Sequence, residues 1–553
     1  MRRWRLTETS GLRPRSVAAA AAPLLLTLIA LAFARWNYFF QDDAYISLRY
    51  ARNLARGHGL VWAPGSTEFG YTNFLFTALE GLLLKLGASG ELAAALLSVP
   101  SSLAAVLLVF VITRELSGSL LAAFAAGLMV ATHTSFSAYA SGGLETSLQT
   151  MLVLLTYWLV WRLVQQPTLA RAGLAGGSAA LAMLCRLDSV LLLTPAILWP
   201  WWQSWGERPR ASPGSRIHAG ARVLVGALPV MATLLLLAWC RARYGQALPN
   251  TFYAKAVGQG STLAFGTWYI LSFILAQAGF VVALGLLALG SVVSRDPLTA
   301  RREPIRWYLG AATIGWAAYL VYVGGDFMEF RMLVPVIPMY AIMACSILGA
   351  LPAPRRQRSL VMIMVLALGA NLYHRDLYPG FNVLIAGTNV LIESTRSLDR
   401  HVRESPSWIE AGRALHGLFY TGGADDVVIA TTAAGAIPYF SDLPTIDELG
   451  LNDRFVAMHG APHSPAPGHR RIATLHYLRE RGVNLVIHRP GFDCRRRQEP
   501  DLHAGLPLVL IPLQRGPCAL EARYLIAHPR IDSLVAEGRV KLQMAGLQGA
   551  PGG

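Results

Sequence analysis

Residues 37–62 read NYFFQDDAYISLRYARNLARGHGLVW and directly follow the first long apolar segment of the chain. They place Asp42 and Asp43 where an apolar helix leaves a membrane, a position at which a charged group is costly unless it is solvated or functional. Ile46 and Tyr50 then recur at helical spacing, with arginines on another side of the same helix. The segment therefore predicts an amphipathic helix at the membrane surface that begins with two carboxylates.

The composition is that of an integral membrane protein. Of the 553 residues, 54% are hydrophobic and only 14% are charged, which is too apolar for a soluble protein of this length. Because an apolar helix of about 17–25 residues spans the hydrocarbon core, we predict an α-helical polytopic membrane protein with about eleven transmembrane helices. Their candidate ranges are 17–36, 92–113, 118–134, 146–164, 169–185, 189–204, 221–240, 268–293, 307–323, 332–351 and 359–375.

Basic residues are distributed by loop, and this distribution gives a predicted topology. The formal net charge is +16, but the arginines do not form one patch, so no nucleic-acid partner is predicted. With the N-terminus inside, the Arg-rich loops 205–222, 295–306 and 355–358 all lie in the cytoplasm, as the positive-inside tendency requires. This parity also requires a helix break at CRLDS, residues 185–189. We therefore expect a multi-pass protein of the inner (plasma) membrane with a retained N-terminal anchor.

Two domains are predicted on this basis. Residues 1–375 would form a transmembrane catalytic domain with outward-facing loops, and residues 376–553 a small extracytoplasmic α/β domain. In the second domain, DDVVIATTAAGAIPYF and GVNLVIHRP are typical of strands, and HRRIATLHYLRER is typical of an intervening helix. Cys494 and Cys518 are the only cysteines of this domain, and in an oxidising compartment we predict that they form a disulfide.

Unusual polar residues are concentrated in five loops of the predicted outer face. These loops contain QDDAYISLRYARNLARGHGLVW with EFGYTNFLFTALE, then SGGLETS, CRLDS, RYGQALPNTFYAK and GGDFMEFR. A transporter more often places its polar groups near the bilayer midplane, whereas these lie at helix ends. We therefore predict an outward-facing site at the membrane surface, open to a lipid from the side and to a water-borne acceptor from above.

Several charged residues in these loops are candidates for chemistry. Of two adjacent carboxylates, one can hold geometry or a cation while the other, partly desolvated, acts as a general base. Lys255 and Arg331 lie near the membrane border, where a cation can bind a lipid-linked phosphate or serve as a headgroup anchor. Arg52 and Arg56 are better interpreted as headgroup anchors only.

Six motifs in this order resemble the GT-C membrane glycosyltransferases, and most closely the bacterial arabinofuranosyltransferases of the terminal β-(1→2) type. They are FQDDAYISLRYARNLARGHGLVW with EFGYTNFL, then GLET, LPNTFYAK, GGDFMEFRMLVPVIP, GLND at 450–453 and GHR at 468–470. The resemblance implies a polyprenyl-phosphate sugar donor, an outward-facing catalytic centre and a carboxylate base in the first outer loop. That base would be Asp42 or Asp43, with Asp42 favoured by analogy. The third loop of this sequence reads CRLDS, whereas relatives are expected to have RPE or RPD at this place.

The resulting hypothesis is an inverting glycosyltransferase that moves a pentofuranose, arabinofuranose by resemblance, to a glycan, lipid or pilus-protein acceptor of the cell envelope. Its catalytic candidates are Asp42 and Asp43, and its candidates for binding donor phosphate or substrate are Arg49, Tyr71, Glu145, Arg186, Asn250, Lys255, Asp326 and Arg331. A divalent cation, Mg²⁺ or Ca²⁺, held by Asp42 and Asp43 is left open. The alternatives are another GT-C transferase, for mannose or an aminosugar, and a flippase for lipid-linked sugar.

Overall fold

The N-terminal part of the chain is helical. The computed structural model describes residues 17–204, 213–256, 259–277, 304–377, 381–384, 391–423, 426–464, 468–487, 505–513 and 519–544. The helices are α1 (Val17–Trp36), α2 (Asp42–Ala55), α3 (Phe74–Lys85), α4 (Gly90–Ser117), α5 (Leu120–Thr132), α6 (Thr134–Ala138), α7 (Thr146–Gln165), α8 (Leu169–Cys185), α9 (Ser189–Ser204), α10 (Pro213–Tyr244), α11 (Asn250–Ala256), α12 (Gln259–Ala276), α13 (Ile305–Val323), α14 (Ile337–Gly349) and α15 (Ala353–Leu377). A 3₁₀ helix, Arg331–Val336, precedes α14.

Within the described residues, five helical stretches are long and apolar enough to cross a membrane. They are Ala19–Trp36, Gly90–Ser117, Thr146–Gln165, Ala219–Tyr244 and Arg331–Gly349. Four shorter apolar stretches accompany them, at Leu120–Thr132, Leu169–Cys185, Ser189–Trp202 and Leu263–Ala276. The chain is accordingly a multi-pass membrane protein. The count of eleven spans, the sidedness of the termini and the domain boundary at residue 375 stay predictions.

The helix break predicted at CRLDS is present, but the first outer loop contains a helix that was not predicted. α8 ends at Cys185 and α9 begins at Ser189, so residues 169–204 do not form one tilted helix. In the first outer loop, the motif that includes FLFTALE forms α3. Leu82 and Leu86 at the end of this helix are exposed, as expected of a short apolar helix at a membrane surface.

Two predicted spans differ from the helices for local reasons. The span predicted at 332–351 begins as 3₁₀ helix and becomes α-helical only at Ile337. Pro335 within the 3₁₀ segment lacks a backbone donor, which disfavours an earlier start of the α-helix. The span predicted at 268–293 is helical to Ala276, and its remainder from residue 278 lies outside the described residues.

The C-terminal part contains a mixed six-stranded sheet with helices around it. Its order is β10-β8-β9-β7-β3-β4, in which β3 runs parallel to β4 and β7 and the other pairs are antiparallel. The strands are β1 (Phe381–Leu384), β2 (Leu391–Thr395), β3 (Ile429–Thr431), β4 (Thr445–Asp447), β5 (Ala461–Pro462), β6 (Arg471–Ile472), β7 (Leu485–Ile487), β8 (Leu508–Pro512), β9 (Ala519–Tyr524) and β10 (Lys541–Gln543). The helices are α16 (Leu398–Phe419), α17 (Ala436–Ser441), α18 (Arg454–His459), α19 (Leu475–Glu480) and α20 (Pro529–Ala536).

The elements predicted in this part are correct in type for only part of their length. DDVVIATTAAGAIPYF was expected to form a short strand, and it contains β3, but the end of the segment forms α17. HRRIATLHYLRER was expected to be a helix, but it contains β6 before α19 begins. Strand β7 agrees with GVNLVIHRP. The predicted disulfide of Cys494 and Cys518 lies outside the described residues.

Candidate functional site

The GLET and CRLDS loops meet in a buried ion-pair network. Glu145, which precedes α7, accepts a hydrogen bond from Nη1 of Arg186 at 2.5 Å and one from Nδ2 of Asn73 at 2.9 Å. Arg186 also donates from Nε and Nη2 to the two carboxylate oxygens of Asp188, at 3.0 and 2.6 Å. A charge as deeply buried as that of Glu145, which is 2% exposed, is tolerable when it is paired in this way. Arg186 therefore joins the two loops.

The fifth outer loop supplies a second buried ion pair beside this network. Nη2 of Arg331 lies 2.7 Å from Oδ2 of Asp326, and both side chains are buried. Arg331 also interacts electrostatically with Arg186, Glu145 and Asp43. Residues from four separate loops therefore form one group, which we call the charge cluster: Asp43, Glu145, Arg186, Asp326 and Arg331. All five were candidates from the sequence.

Asp42 faces the C-terminal part of the chain. It is the first residue of α2, and its Oδ1 accepts a hydrogen bond from the backbone N–H of Ala436 at 2.7 Å. Its Oδ2 accepts one from the N–H of Gly435 at 3.2 Å. Burial raises the pKa of Asp42 to about 7, although the two backbone hydrogen bonds oppose this rise and the charge of Asp43 adds to it. Asp42 thus attaches α2 to the first turn of α17.

Gly435 is the residue that lets this contact form. A Cβ atom at position 435 would lie 2.0 Å from the backbone oxygen of Asp42 and 2.6 Å from its carboxyl carbon. No side chain fits into that space without displacing α2 from α17. We call the contact of Asp42 with Gly435 and Ala436 the clasp. The C-terminal part of the chain thereby fixes the start of the helix that carries both aspartates.

Asp43 has a different environment from its neighbour. It is half-buried and interacts electrostatically with Arg331 and Tyr139 as well as with Asp42. Successive residues of an α-helix project about 100° apart, so the two carboxylates face different surroundings. The clasp holds Asp42, and the charge cluster includes Asp43.

Arg49 does not belong to the charge cluster, contrary to the expectation that it binds substrate. Its guanidinium donates to three backbone carbonyls, those of Trp62 at 3.0 Å, Pro438 at 2.8 Å and Leu443 at 3.1 Å. It also lies over the Trp62 ring, 4.4 Å from the centroid. These contacts use all three nitrogens of the guanidinium. Arg49 therefore stabilises the packing of α2 on the C-terminal part.

Tyr71 and Asn250 are likewise used for packing between loops. The Tyr71 hydroxyl lies 3.0 Å from that of Tyr244, inside a cluster of aromatic rings. Asn250 donates to Oε2 of Glu68 at 3.0 Å, and the same oxygen accepts from the backbone N–H of Arg454. Both side chains are buried. Lys255 is the remaining candidate. The structure describes its backbone, which belongs to α11, and not its side chain.

The interpretation of Arg52 and Arg56 as headgroup anchors is corrected by the structure. Arg52 pairs with Asp442 at 2.7 Å and donates to the carbonyl of Tyr439 at 2.8 Å. Arg56 pairs with the other oxygen of Asp442 at 3.2 Å. The partner Asp442, which follows α17, is distant in sequence and gave no local signal. These arginines strengthen the attachment of α2 to the C-terminal part.

Sequence reasoning also missed a buried pair next to the charge cluster. Glu329, in the GGDFMEFR motif, lies 2.7 Å from Nε2 of His374 in α15 and accepts a hydrogen bond from Ser135 at 3.1 Å. The pair connects the fifth outer loop to the last helix of the membrane part. The sequence did contain one signal for this pair, because Glu329 lies inside the GGDFMEFR motif. Glu329 therefore fixes the loop that carries Asp326 and Arg331.

The divalent-cation site that the sequence left open at Asp42 and Asp43 stays a prediction. Both oxygens of Asp42 accept backbone hydrogen bonds, and Asp326 is paired with Arg331. Among the described residues, no three His, Cys, Asp or Glu side chains are grouped so that they could hold a metal ion. Oxygen ligands of Mg²⁺ or Ca²⁺ must converge on one point, whereas Asp42 faces the clasp and Asp43 belongs to the charge cluster.

Two family models match segments of the sequence. Residues 74–233 match the model described as dolichyl-phosphate-mannose-protein mannosyltransferase, and residues 400–530 match one described as a domain of unknown function. The first match includes α3 to α9 and hence two residues of the charge cluster, Glu145 and Arg186. No curated protein matches the sequence.

Solved membrane proteins share the fold over most of the chain. Apo ArnT from Cupriavidus metallidurans is 13% identical with a TM-score of 0.56, and the match covers 86% of this chain and 94% of ArnT. ArnT from the same organism bound to undecaprenyl phosphate is 13% identical with a TM-score of 0.53, and the match covers 78% of this chain and 86% of that ArnT chain. The third structure is the archaeal oligosaccharyltransferase AglB from Archaeoglobus fulgidus in complex with an inhibitory peptide and a dolichol-phosphate. It is 12% identical with a TM-score of 0.52, and the match covers 94% of this chain and 78% of AglB. At such identities a likeness shows the fold alone, and the chain therefore shares the fold of these membrane proteins.

Proposed function

We propose that this protein transfers a sugar from a polyprenyl-phosphate donor to a hydroxyl group of an acceptor at the outer ends of its helices. The observation that carries the proposal is the charge cluster, in which carboxylates and guanidinium groups from separate loops meet where apolar helices end. The shared fold supports it, because one neighbour is bound to undecaprenyl phosphate and another to a dolichol-phosphate.

Asp43 is the proposed general base, in place of the Asp42 that the resemblance favoured. A base must lie within reach of the acceptor hydroxyl. Asp42 accepts a backbone hydrogen bond on each oxygen and faces the clasp. Asp43 interacts electrostatically with Arg331 of the charge cluster. The proposal of Asp43 rests on this difference in surroundings.

Arg331 is the proposed phosphate-binding group. A polyprenyl phosphate is a good leaving group, so catalysis requires mainly deprotonation of the acceptor and neutralisation of charge on the departing phosphate. The acceptor oxygen attacks the anomeric carbon, its proton passes to Asp43, and the bond between that carbon and the phosphate oxygen breaks. One in-line displacement inverts the anomeric centre. Arg186, which is held by Glu145 and Asp188, serves to position the loops.

The donor sugar is proposed to be a pentofuranose, with arabinofuranose as the first candidate on the resemblance of the six motifs. Mannose is the second candidate, because residues 74–233 match the model of a mannosyltransferase family. An aminosugar is the third candidate, and it would apply if the protein is a GT-C transferase of another type. The acceptor would be a glycan, a lipid or a pilus protein of the cell envelope, on the outer face of the inner membrane.

The proposal is tested by incubating the purified protein with a panel of polyprenyl-phosphate sugars, followed by linkage analysis of the product. We expect transfer from the arabinofuranose donor with inversion at the anomeric carbon. Transfer in detergent would exclude a flippase, because transport has no meaning without a bilayer. A protein that transfers no sugar from any donor of the panel would contradict the proposal. Addition of EDTA tests the Mg²⁺ or Ca²⁺ prediction, and the geometry leads us to expect transfer to persist.

A further inference from the structure

A buried tyrosine beside the charge cluster has an unsatisfied hydroxyl group. Tyr139, which follows α6, has 0% of its surface exposed, and its hydroxyl has no hydrogen-bond partner among the described residues. An unpaired buried hydroxyl costs about 1–3 kcal/mol, and such groups in a native protein require an explanation. A missing ligand is one explanation, and the surroundings of Tyr139 identify its chemistry.

The surroundings of the hydroxyl are strongly charged. Tyr139 interacts electrostatically with Arg331, Asp326, Glu329 and Asp43. Three of these four residues are carboxylates that could accept a hydrogen bond, yet the Tyr139 hydroxyl makes no hydrogen bond to any of them. The O–H donor is therefore left for another acceptor at the same place. An anion that approaches Arg331 meets that requirement.

The tyrosine ring is held in place by its neighbours. It packs edge-on against Phe39, with the ring centroids 5.3 Å apart and an angle of 83°. A Cβ atom at Gly142, in the SGGLET motif, would lie 3.0 Å from Phe39 and 3.1 Å from Tyr139, so the glycine leaves room for both rings. The backbone oxygen of Tyr139 accepts a hydrogen bond from Ser147 at 3.0 Å. The hydroxyl is thus fixed before any ligand arrives.

We infer that Tyr139 is a phosphate-binding residue whose hydroxyl donates a hydrogen bond to a phosphate oxygen of the lipid-linked donor, beside Arg331. The inference rests on the proposed function for the identity of that donor. A fixed donor aimed at an oxygen that gains negative charge stabilises the departure of the phosphate more than it stabilises the intact donor. Tyr139 and Arg331 would together bind the leaving group, while Asp43 accepts the proton of the acceptor.

The Tyr139→Phe variant tests the inference because it removes one oxygen atom and leaves the ring packing in place. We expect the full-length variant to bind undecaprenyl phosphate about 10-fold more weakly than the wild type and to transfer sugar about 10- to 100-fold more slowly. Its Tm should not fall, because the hydroxyl makes no hydrogen bond that folding would lose. A role in packing alone would lower Tm and leave undecaprenyl phosphate binding unchanged.

Tyr157→Phe is the matched control. The Tyr157 hydroxyl donates to the carbonyl of Leu192 at 2.9 Å, and Tyr157 lies 12 residues after Glu145, or about 18 Å along α7. This variant should lose Tm and keep both undecaprenyl phosphate affinity and transfer rate. An affinity of Tyr139→Phe within twofold of the wild type would overturn the inference. If the wild type transfers no sugar, the proposed function fails, and the titration with undecaprenyl phosphate still decides the role of Tyr139.

Discussion

The clasp and the charge cluster are both buried polar regions at the start of α2, but their polar groups find partners in different ways. In the clasp, Asp42 is satisfied by backbone N–H groups, and nearby Arg49 is satisfied by backbone carbonyls. In the charge cluster, charged side chains pair with one another, and the hydroxyl of Tyr139 is left unpaired. The two regions begin at adjacent residues, Asp42 and Asp43.

Under the proposed function, the difference separates a structural region from a reactive one. A carboxylate whose oxygens both accept backbone hydrogen bonds from another segment holds the two segments together. Side-chain ion pairs can instead be exchanged for contacts with a charged substrate, since a phosphate replaces a carboxylate at a guanidinium without loss of charge pairing. Polar residues of one motif can therefore have separate roles. Each of the following predictions changes one of the two regions.

The largest effect on lipid binding is expected when Arg331 is changed. Arg331→Ala removes a charge-assisted contact to the donor phosphate, so affinity for undecaprenyl phosphate should fall about 10- to 100-fold. Arg331→Lys keeps the charge but loses the planar fork, and an intermediate affinity is expected. Isothermal titration of the purified protein measures both. Arg52→Ala is the control, because Arg52 pairs with Asp442 and its loss should lower Tm without weakening lipid binding.

A smaller effect is expected when the clasp is opened at Gly435. In Gly435→Ala the new methyl group overlaps the backbone oxygen of Asp42, so the chain must shift, at a cost of about 1–3 kcal/mol. Thermal unfolding followed by intrinsic fluorescence should show a lower Tm. Gly417→Ala, in α16, is the matched control, because a Cβ atom there meets nothing within 4 Å and alanine favours the helix. Equal Tm values for the two variants would show that the clasp contributes nothing to stability.

The smallest effect is a pH dependence of stability from Asp447, the last residue of β4, whose carboxylate accepts hydrogen bonds from the backbone N–H groups of Leu449 and Asn452. Burial raises the pKa of Asp447 from 3.8 to about 7. Between these values the folded state holds more protons than the unfolded state, so the contribution of Asp447 to stability is fully present below about pH 4 and is lost as the pH rises towards 7. We expect the Tm of Asp447→Asn to vary less with pH between 5 and 7 than that of the wild type. Parallel curves would refute this assignment.

The charge cluster was predictable from the sequence because each of its members lies within a local motif at the end of an apolar segment. The predicted topology then places the loops that contain these motifs on one face of the membrane. The clasp was not predictable, since Gly435 and Ala436 lie 393 and 394 residues after Asp42 and belong to a segment that was interpreted as a strand. The contacts of Arg49 were not predictable for the same reason, because its carbonyl partners at Pro438 and Leu443 carry no side-chain signature. Tyr139 is one aromatic residue among apolar neighbours, and only its unpaired hydroxyl in the structure distinguishes it.

The central claim, that Asp43 performs chemistry while Asp42 holds the fold, is tested most directly by the turnover of Asp43→Asn and Asp42→Asn measured side by side. Each change keeps the size of the side chain and removes the carboxylate. We predict that Asp43→Asn lowers turnover by about 10²- to 10⁴-fold with an unchanged Tm, and that Asp42→Asn lowers Tm with less than about 10-fold loss of turnover. Near-normal turnover of Asp43→Asn together with an inactive Asp42→Asn would contradict the account and return the role of base to Asp42.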